Sequence, residues 1–330
     1  MKIICTLGPS SYSPSILKSL KSKGVNIFRI NLSHTPKDDI IKKIKFLKKN
    51  KIKNICIDTE GAQLRTTKVK NKVFLRKNKV IKIFNNNELS NFKTISFHPK
   101  FDLIKCKINT KIYVGFNNLV LKVYKKNIKK NFLLTRVTTG GYIESNTGVH
   151  INQNIKLNAL TEKDLFAISL AIKNKIKYFA ISFVNNSRDL DLVRRITGKK
   201  AFLISKIETK SAILNLQKIS FKSNALLIDR GDLSRYIPIE EIPAAQEKII
   251  NFGNKIKKPV YVATNLLETM IKESQPTRAE SHDIFSTLKE GASGLVLAAE
   301  TAIGLNPIGC VDFLNRSIKI FKKFKKNEKK

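Results

Sequence analysis

The sequence predicts an α/β chain folded as a (β/α)8 TIM barrel, with a small all-β lid domain inserted after the third barrel strand. Three observations carry the prediction. Short, near-continuous apolar runs alternate with longer stretches of helical apolar periodicity, which is the pattern of a parallel sheet covered on its outer face. There are eight such units, the strand count of a β/α barrel. One interval, residues 67–157, breaks the rhythm with short hairpin-like pieces.

The units follow one another in order. KIICTLG (2–8) is the first strand run and NIFRINL (26–32) the second. KKIKFLKKNKIKN (42–54) spaces apolar residues helically among lysines, as an amphipathic surface helix does, and NICIDTE (54–60) is the third strand run. The interval then offers NKVFLRK, VIKIFNN, KIYVGFNNLVLKVYKK and NFLLTRVTTGG, with Gly and Asn at the turns. An insertion at the C-terminal end of a barrel strand would lie over the active-site face and act as a lid. The barrel resumes with LTEKDLFAISLAIKNK as a helix. The remaining strand runs are YFAISFV (178–184), AFLISKIE (201–208), ALLIDRG (225–231), PVYVATN (259–265) and GLVLAAET (294–301), with EIPAAQEKIINFGNKI (241–256) as an intervening helix. The expected division is therefore 1–66 with 158–330 as barrel and 67–157 as a β-barrel-like lid.

A chain of 330 residues with 42% hydrophobic content can bury a full core. No apolar run approaches the roughly 20 residues of a membrane span, and the N-terminus lacks the layout of a signal peptide. A soluble, cytoplasmic protein without a membrane partner is expected. Cys5, Cys56, Cys106 and Cys310 form no C-x-x-C pair, so Cys5 and Cys56 read as small buried hydrophobes. The formal charge of +38 resides mainly in lysines spread along the chain, which reads as solvated faces and not as a nucleic-acid surface. The tail FKKFKKNEKK is the one candidate basic arm.

Polar residues gather where a barrel places chemistry, at strand ends. LLIDRGDLSRYIP (226–238) runs three apolar residues straight into two carboxylates and a guanidinium. Other strand ends carry Arg29, Asn31, Ser33 and His34; Asp58 and Thr59; Lys206 and Glu208; Thr264; and Glu300. Glu208 and Asp232 offer two carboxylates to one hard cation such as Mg2+, which takes one or two carboxylates and leaves positions for substrate oxygens. With Lys206 and Arg29 beside it, that cation makes a place for a phosphoryl group. Ser33 and His34 are set aside as a nucleophile–base pair, because neighbours on a strand point to opposite faces.

Together these stretches resemble the pyruvate kinase family: TLGPSS, FRINLSH (28–34), DTEGAQLR (58–65), LTEKD (160–164), ISKIET (204–209), DRGDL (229–233), PVYVATNLLETM (259–270), PTRAE (276–280) and AAET (298–301), in the family's order. The resemblance implies phosphoryl transfer from phosphoenolpyruvate to ADP, giving pyruvate and ATP. It implies that Arg29, Lys206 and Thr264 contact phosphoenolpyruvate, with the backbone around Gly231 and Asp232 holding its carboxylate. Glu208 and Asp232 would bind Mg2+ (or Mn2+). Asn31, Ser33, Asp58 and Thr59 would line a K+ site, and His34 and Arg65 would face the nucleotide phosphates. The chain stops soon after the last barrel helix, so a short form without the family's C-terminal regulatory domain is expected, with room for a homo-oligomer formed through the barrel.

Several positions depart from the family pattern. Ser-Gly-Glu-Thr is here Ala298-Ala299-Glu300-Thr301, without the hydroxyl linked to enolate protonation. The lid's Asp-Asp-Gly is Gly115-Phe116-Asn117, and a lid lysine is Thr147. In DTEGAQLR, the family's Lys, Pro and potassium-sorting Glu or Lys are Glu60, Ala62 and Gln63. The alternatives are a Mg2+-dependent lyase or transferase on a phosphoenolpyruvate/pyruvate barrel that does not use ADP, and a degenerate, non-catalytic basic protein.

Overall fold

The computed structural model describes residues 1–86, 88–115, 119–153 and 155–328. They form two compact units, Met1–Gly61 with Glu162–Lys330, and Ala62–Thr161.

The first unit is a closed barrel of eight parallel strands in chain order, the last pairing with the first: β1 (Lys2–Thr6), β2 (Ile27–Asn31), β3 (Ile55–Asp58), β4 (Tyr178–Ile181), β5 (Phe202–Ile207), β6 (Ala225–Asp229), β7 (Val260–Ala263) and β8 (Gly294–Leu297). Each is shorter than its apolar run because the run's last residues turn out of the sheet to carry polar groups. Helices α1 (Pro14–Ser22), α2 (Asp39–Lys49), α3 (Glu162–Lys173), α4 (Ser187–Thr197), α5 (Leu216–Lys222), α6 (Ile242–Lys255), α7 (Arg278–Lys289) and α8 (Pro307–Asn327) follow the strands. Caps set several starts: Asn186 with Asp189 and Thr277 with Glu280 form reciprocal capping boxes on α4 and α7.

The barrel interior explains where the chemistry falls. Ile4, Ile27, Cys56, Ala180, Ile204, Leu227, Tyr261 and Val296, one from each strand, pack into a single buried cluster. Side chains alternate faces along a strand, so the residue two positions on points inward again. Those residues are Thr6, Arg29, Asp58, Ser182, Lys206, Asp229, Ala263 and Ala298. An apolar plug thus carries a polar layer at its C-terminal end. Gly61 holds the exit of β3 at φ +68, where a Cβ would meet the Ser182 carbonyl oxygen at 2.5 Å.

The second unit is a closed seven-strand barrel with its own core, which includes Phe97, Ile112, Leu121 and Leu133. Around the barrel the strands are Phe132–Thr139, Val80–Phe84, Thr94–His98, Leu64–Thr66, Gly148–Ile151, Lys111–Val114 and Leu119–Asn127. Gly141–Ile143 and Val73–Leu75 pair separately. Turn residues behave as their types demand: Asn78, Asn109, Asn131, Asn146 and Gly115 adopt positive φ.

The structure departs from the sequence reading in four respects. The units divide at 61/62 and 161/162, not at 66/67 and 157/158. Leu64–Thr66 is hydrogen-bonded into the β unit, and Ile155 and Leu157 pack on that unit's core. Val80–Phe84 and Thr94–His98 run parallel, so hairpins alone do not build the insertion. Ser33 and His34 sit on a 3-10 turn, Leu32–His34, where strand alternation does not apply. The basic tail is no free arm through Asn327: it continues α8, with Phe321 and Phe324 packed edge-on against Phe285 at 5.6 and 5.2 Å. Among the described residues, no helix is long and apolar enough to cross a membrane. All four cysteines are free and buried.

Candidate active site

Lys206 is the centre of the polar layer. Its Nζ lies 2.7 Å from Glu208 Oε1, 3.3 Å from Asp229 Oδ2 and 3.6 Å from Asp58 Oδ1, and donates to Ser182 Oγ at 3.0 Å. Arg29 adds a second buried cation: its Nε pairs with Asp58 Oδ2, and Nη1 donates to Thr6 Oγ1 at 2.8 Å. Ser182 Oγ donates onward to Asp58 Oδ1 at 3.1 Å, and Ser182 N donates to Thr59 Oγ1 at 2.9 Å. Six strand ends thus converge on one network.

The electrostatics follow from burial against pairing. Burial works against a charged Lys206, but Asp58, Glu208 and Asp229 outweigh it and hold the ammonium well above its ordinary value. Arg29 is raised in the same way by Asp58 and Asp229. Asp229, although buried, is held below the usual carboxylate range by Lys206 and Arg29. Glu208 goes the other way. Burial raises it, Lys206 opposes, and the nearby Asp232 and Asp229 charges raise it further. One ammonium shared among several carboxylates leaves Glu208 the least compensated.

That imbalance is where a metal ion fits. Carboxylate oxygens of Glu208, Asp229 and Asp232 lie within 4.8 Å of one another. The donors are hard oxygens, and the excess negative charge asks for a cation, so the residues suit Mg2+ or Mn2+. Asp229 joins the two carboxylates expected from sequence. Phe183 N donates to Glu208 Oε2 at 2.6 Å from a backbone at φ 52, which fixes the carboxylate's orientation.

The end of β7 is built for contact as well. Thr264 and Asn265 adopt φ 69 and 55, unfavourable for a β-branched residue and maintained by the surrounding bonds. Thr264 Oγ1 accepts from Gly231 N at 2.9 Å, and Arg230 donates to the Thr264 carbonyl through Nε at 3.1 Å and Nη2 at 2.6 Å. Arg230 Nη1 reaches Asp283 of α7 at 2.8 Å. The Gly231 and Asp232 amides, expected to receive a substrate carboxylate, are engaged within the protein, the latter at 3.4 Å from Asp229 Oδ1.

The remaining sequence candidates divide. Asn31 accepts from Ser33 N at 3.0 Å and so caps its own turn, and Asp58 is committed to Arg29 and Ser182. His34 is exposed on that turn. Arg65, in the β unit, donates to the Asn146 carbonyl at 3.0 Å. Glu300 is not part of the Lys206 network. It is buried, raised by that burial, and accepts from the Ala298 and Leu267 amides at 2.6 and 3.3 Å. Glu60 pairs with Lys163 at 2.8 Å, and Gln63 is buried. Thr147 hydrogen-bonds to Thr66 through its backbone. Phe116 and Asn117 lie outside the described residues. Ser182 was missed by the sequence reading, although it stands two residues beyond the inward-facing Ala180.

Comparison with known proteins agrees with this geometry. A family model described as the pyruvate kinase barrel domain matches residues 1–311. A pyruvate kinase of Thermotoga maritima is 34% identical over 328 residues, covering 96% of this chain and 70% of that protein. One of Sporosarcina psychrophila is 31% identical, covering 96% and 56%, and one of Dictyostelium discoideum 31%, covering 95% and 64%. The chain therefore spans between 56% and 70% of the length of these relatives. With the barrel matched from its first strand into its last helix, the chain belongs to the pyruvate kinase family.

Proposed function

We propose that the protein transfers the phosphoryl group of phosphoenolpyruvate to ADP, giving pyruvate and ATP, in the cytoplasm. The observation that carries this reading is a buried Lys206 paired with Glu208, which belongs to a cluster of three carboxylates able to hold a divalent ion. In this reading the P–O bond of phosphoenolpyruvate breaks as one forms to the terminal phosphate oxygen of ADP. Lys206 and Arg29 oppose the negative charge on the transferring phosphoryl and on the enolate oxygen left behind. Both stay protonated throughout, since several carboxylates hold them so. Thr264, Gly231 and Asp232 would orient the substrate carboxylate, which would take over amides now bonded within the protein.

Glu208 and Asp232, with Asp229, would hold Mg2+ or Mn2+, which when bound supplies Lewis-acid polarisation of phosphoryl and enolate oxygens. Asn31, Ser33, Asp58 and Thr59 would serve K+, and His34 the nucleotide phosphates. The enolate takes its proton from water, because Ala298 offers no hydroxyl. The test is a coupled assay for pyruvate, run with and without ADP and Mg2+. Release that requires both supports the reading, whereas pyruvate formed equally well without ADP would overturn it.

A further inference from the structure

Lys206 is shared by Glu208 and Asp229, and the third carboxylate of the cluster has another cation. Arg235 Nε lies 3.5 Å from Asp232 Oδ1, with the two side chains 14% and 21% exposed. They stand three residues apart on consecutive turns in which Ser234 N donates to Arg230 O at 3.0 Å and Arg235 N to Asp232 O at 3.1 Å. The next residue, Tyr236, packs its ring 6.5 Å from that of Phe183, whose amide holds Glu208. Arg235 is therefore tied by its backbone to the same frame as the metal cluster, with its guanidinium at the end of a long side chain. At 3.5 Å the pair is looser than the 2.7 Å contact of Lys206 with Glu208, so it is the one an incoming ion can break.

The charges around the site point the same way. With Glu208 ionised, as holding the ion requires, Glu208, Asp229, Asp232 and Asp58 face Lys206, Arg29 and Arg235, which sums to one net negative charge without the divalent ion and one net positive charge with it. The loaded site then has an unmet demand for an anion. We propose that Arg235 competes with the divalent cation for Asp232, so that the free protein holds the ion weakly and holds it firmly only once an anionic substrate has taken up the guanidinium. Ion and substrate are then coupled, each raising the other's affinity by the same factor. Arg235 contacts the substrate in this scheme, and the inference rests on the functional reading above.

The test is direct Mn2+ binding to the full chain, read from the electron paramagnetic resonance signal of free Mn2+, with and without phosphoenolpyruvate. Arg235→Gln should bind Mn2+ alone about tenfold more tightly than the wild type, and phosphoenolpyruvate should enhance its binding correspondingly less. Arg235→Lys should stay close to the wild type, since it keeps the charge. Should Arg235→Gln fail to fold, Arg235→Met, which keeps the packing of the stem, is read in its place. Equal or weaker Mn2+ binding by the neutral variant overturns the role of Arg235 and leaves the catalytic reading standing. Absence of Mn2+ binding by wild type and variant alike, with substrate present, overturns both.

Discussion

A lysine 4% exposed is kept charged only if carboxylates stand close enough to offset its desolvation, and three do so at Lys206. The same residue thus holds the site together and supplies its charge. Lys206→Met should lower turnover by at least about a hundredfold, the scale of one preorganised electrostatic group. It should also cost about 3–5 kcal/mol of stability near neutral pH, because carboxylates are left buried without their cation. The loss depends on pH in a definite sense. Asp229 owes its depressed value to Lys206 and Arg29, so its stabilisation is present above the ordinary carboxylate value and fades as pH falls through its folded value. Glu208 is already raised, to about 8, and losing Lys206 raises it further, so the variant is penalised most when pH asks that carboxylate to ionise. Melting temperatures of the two proteins should converge towards pH 5 and separate towards pH 8.5. A gap that does not change with pH would show that the carboxylates are not the cause. Lys206, Glu208, Arg29 and Asp58 were legible in the sequence as charges ending apolar runs. Ser182 was hidden because YFAISFV reads as apolar throughout, and Asp229 because DRGD offers two carboxylates without saying which faces inward. Strand parity, known once the barrel closes, settles both.

Strands and helices were legible because apolar runs and helical periodicity are local signals; what happens at their ends was not. β4 and β7 each leave the sheet through positive-φ residues, Phe183 and Thr264 with Asn265, although neither Phe nor Thr favours such a conformation. Tertiary bonds impose it, and at β7 the bond-maker is Arg230, which joins the Thr264 carbonyl to Asp283 on α7. Arg230→Gln should cost about 2–3 kcal/mol, since charge-assisted bonds to a partly buried carbonyl are lost. Turnover should fall with it, because Thr264 is released from its place. Asp283→Asn removes only the 34%-exposed partner, and should cost less than about 1 kcal/mol while leaving turnover within about twofold. If the two variants behave alike in stability and turnover, the bond to the Thr264 carbonyl does not hold the end of β7. The tail failed as a sequence reading for a related reason. FKKFKKNEKK displays its lysines, whereas Phe321 and Phe324 find Phe285 only across the fold.

At the scale of the whole chain, the inserted segment has what an independent domain needs. Its seven strands close on themselves, leaving that barrel no open edge, and its core cluster is drawn from its own residues. The chain enters through Leu64–Thr66 and leaves after Gly148–Ile151, two strands that pair directly, so cutting near 62 and 161 separates no ladder. Residues 62–161 expressed alone should therefore unfold in one cooperative transition. What opposes it is charge. Of the chain's net +38, this segment carries a large share, its acidic residues being Glu88, Asp102 and Glu144 against 17 lysines and three arginines. The pairs Lys72–Glu144 and Lys105–Asp102 are exposed and offset little of that repulsion. Repulsion among exposed charges is screened as the Debye length shrinks from about 30 Å at 0.01 M salt to about 3 Å at 1 M. If screening recovers about 1 kcal/mol, the melting midpoint of a domain this size rises by roughly 4–8 °C. Circular dichroism melts of the segment at 10 mM and 500 mM NaCl measure both expectations. A broad, non-cooperative loss of signal even at high salt would show that the β unit needs the barrel to fold. A sharp transition whose midpoint ignores salt would show that its lysines are already too far apart to repel.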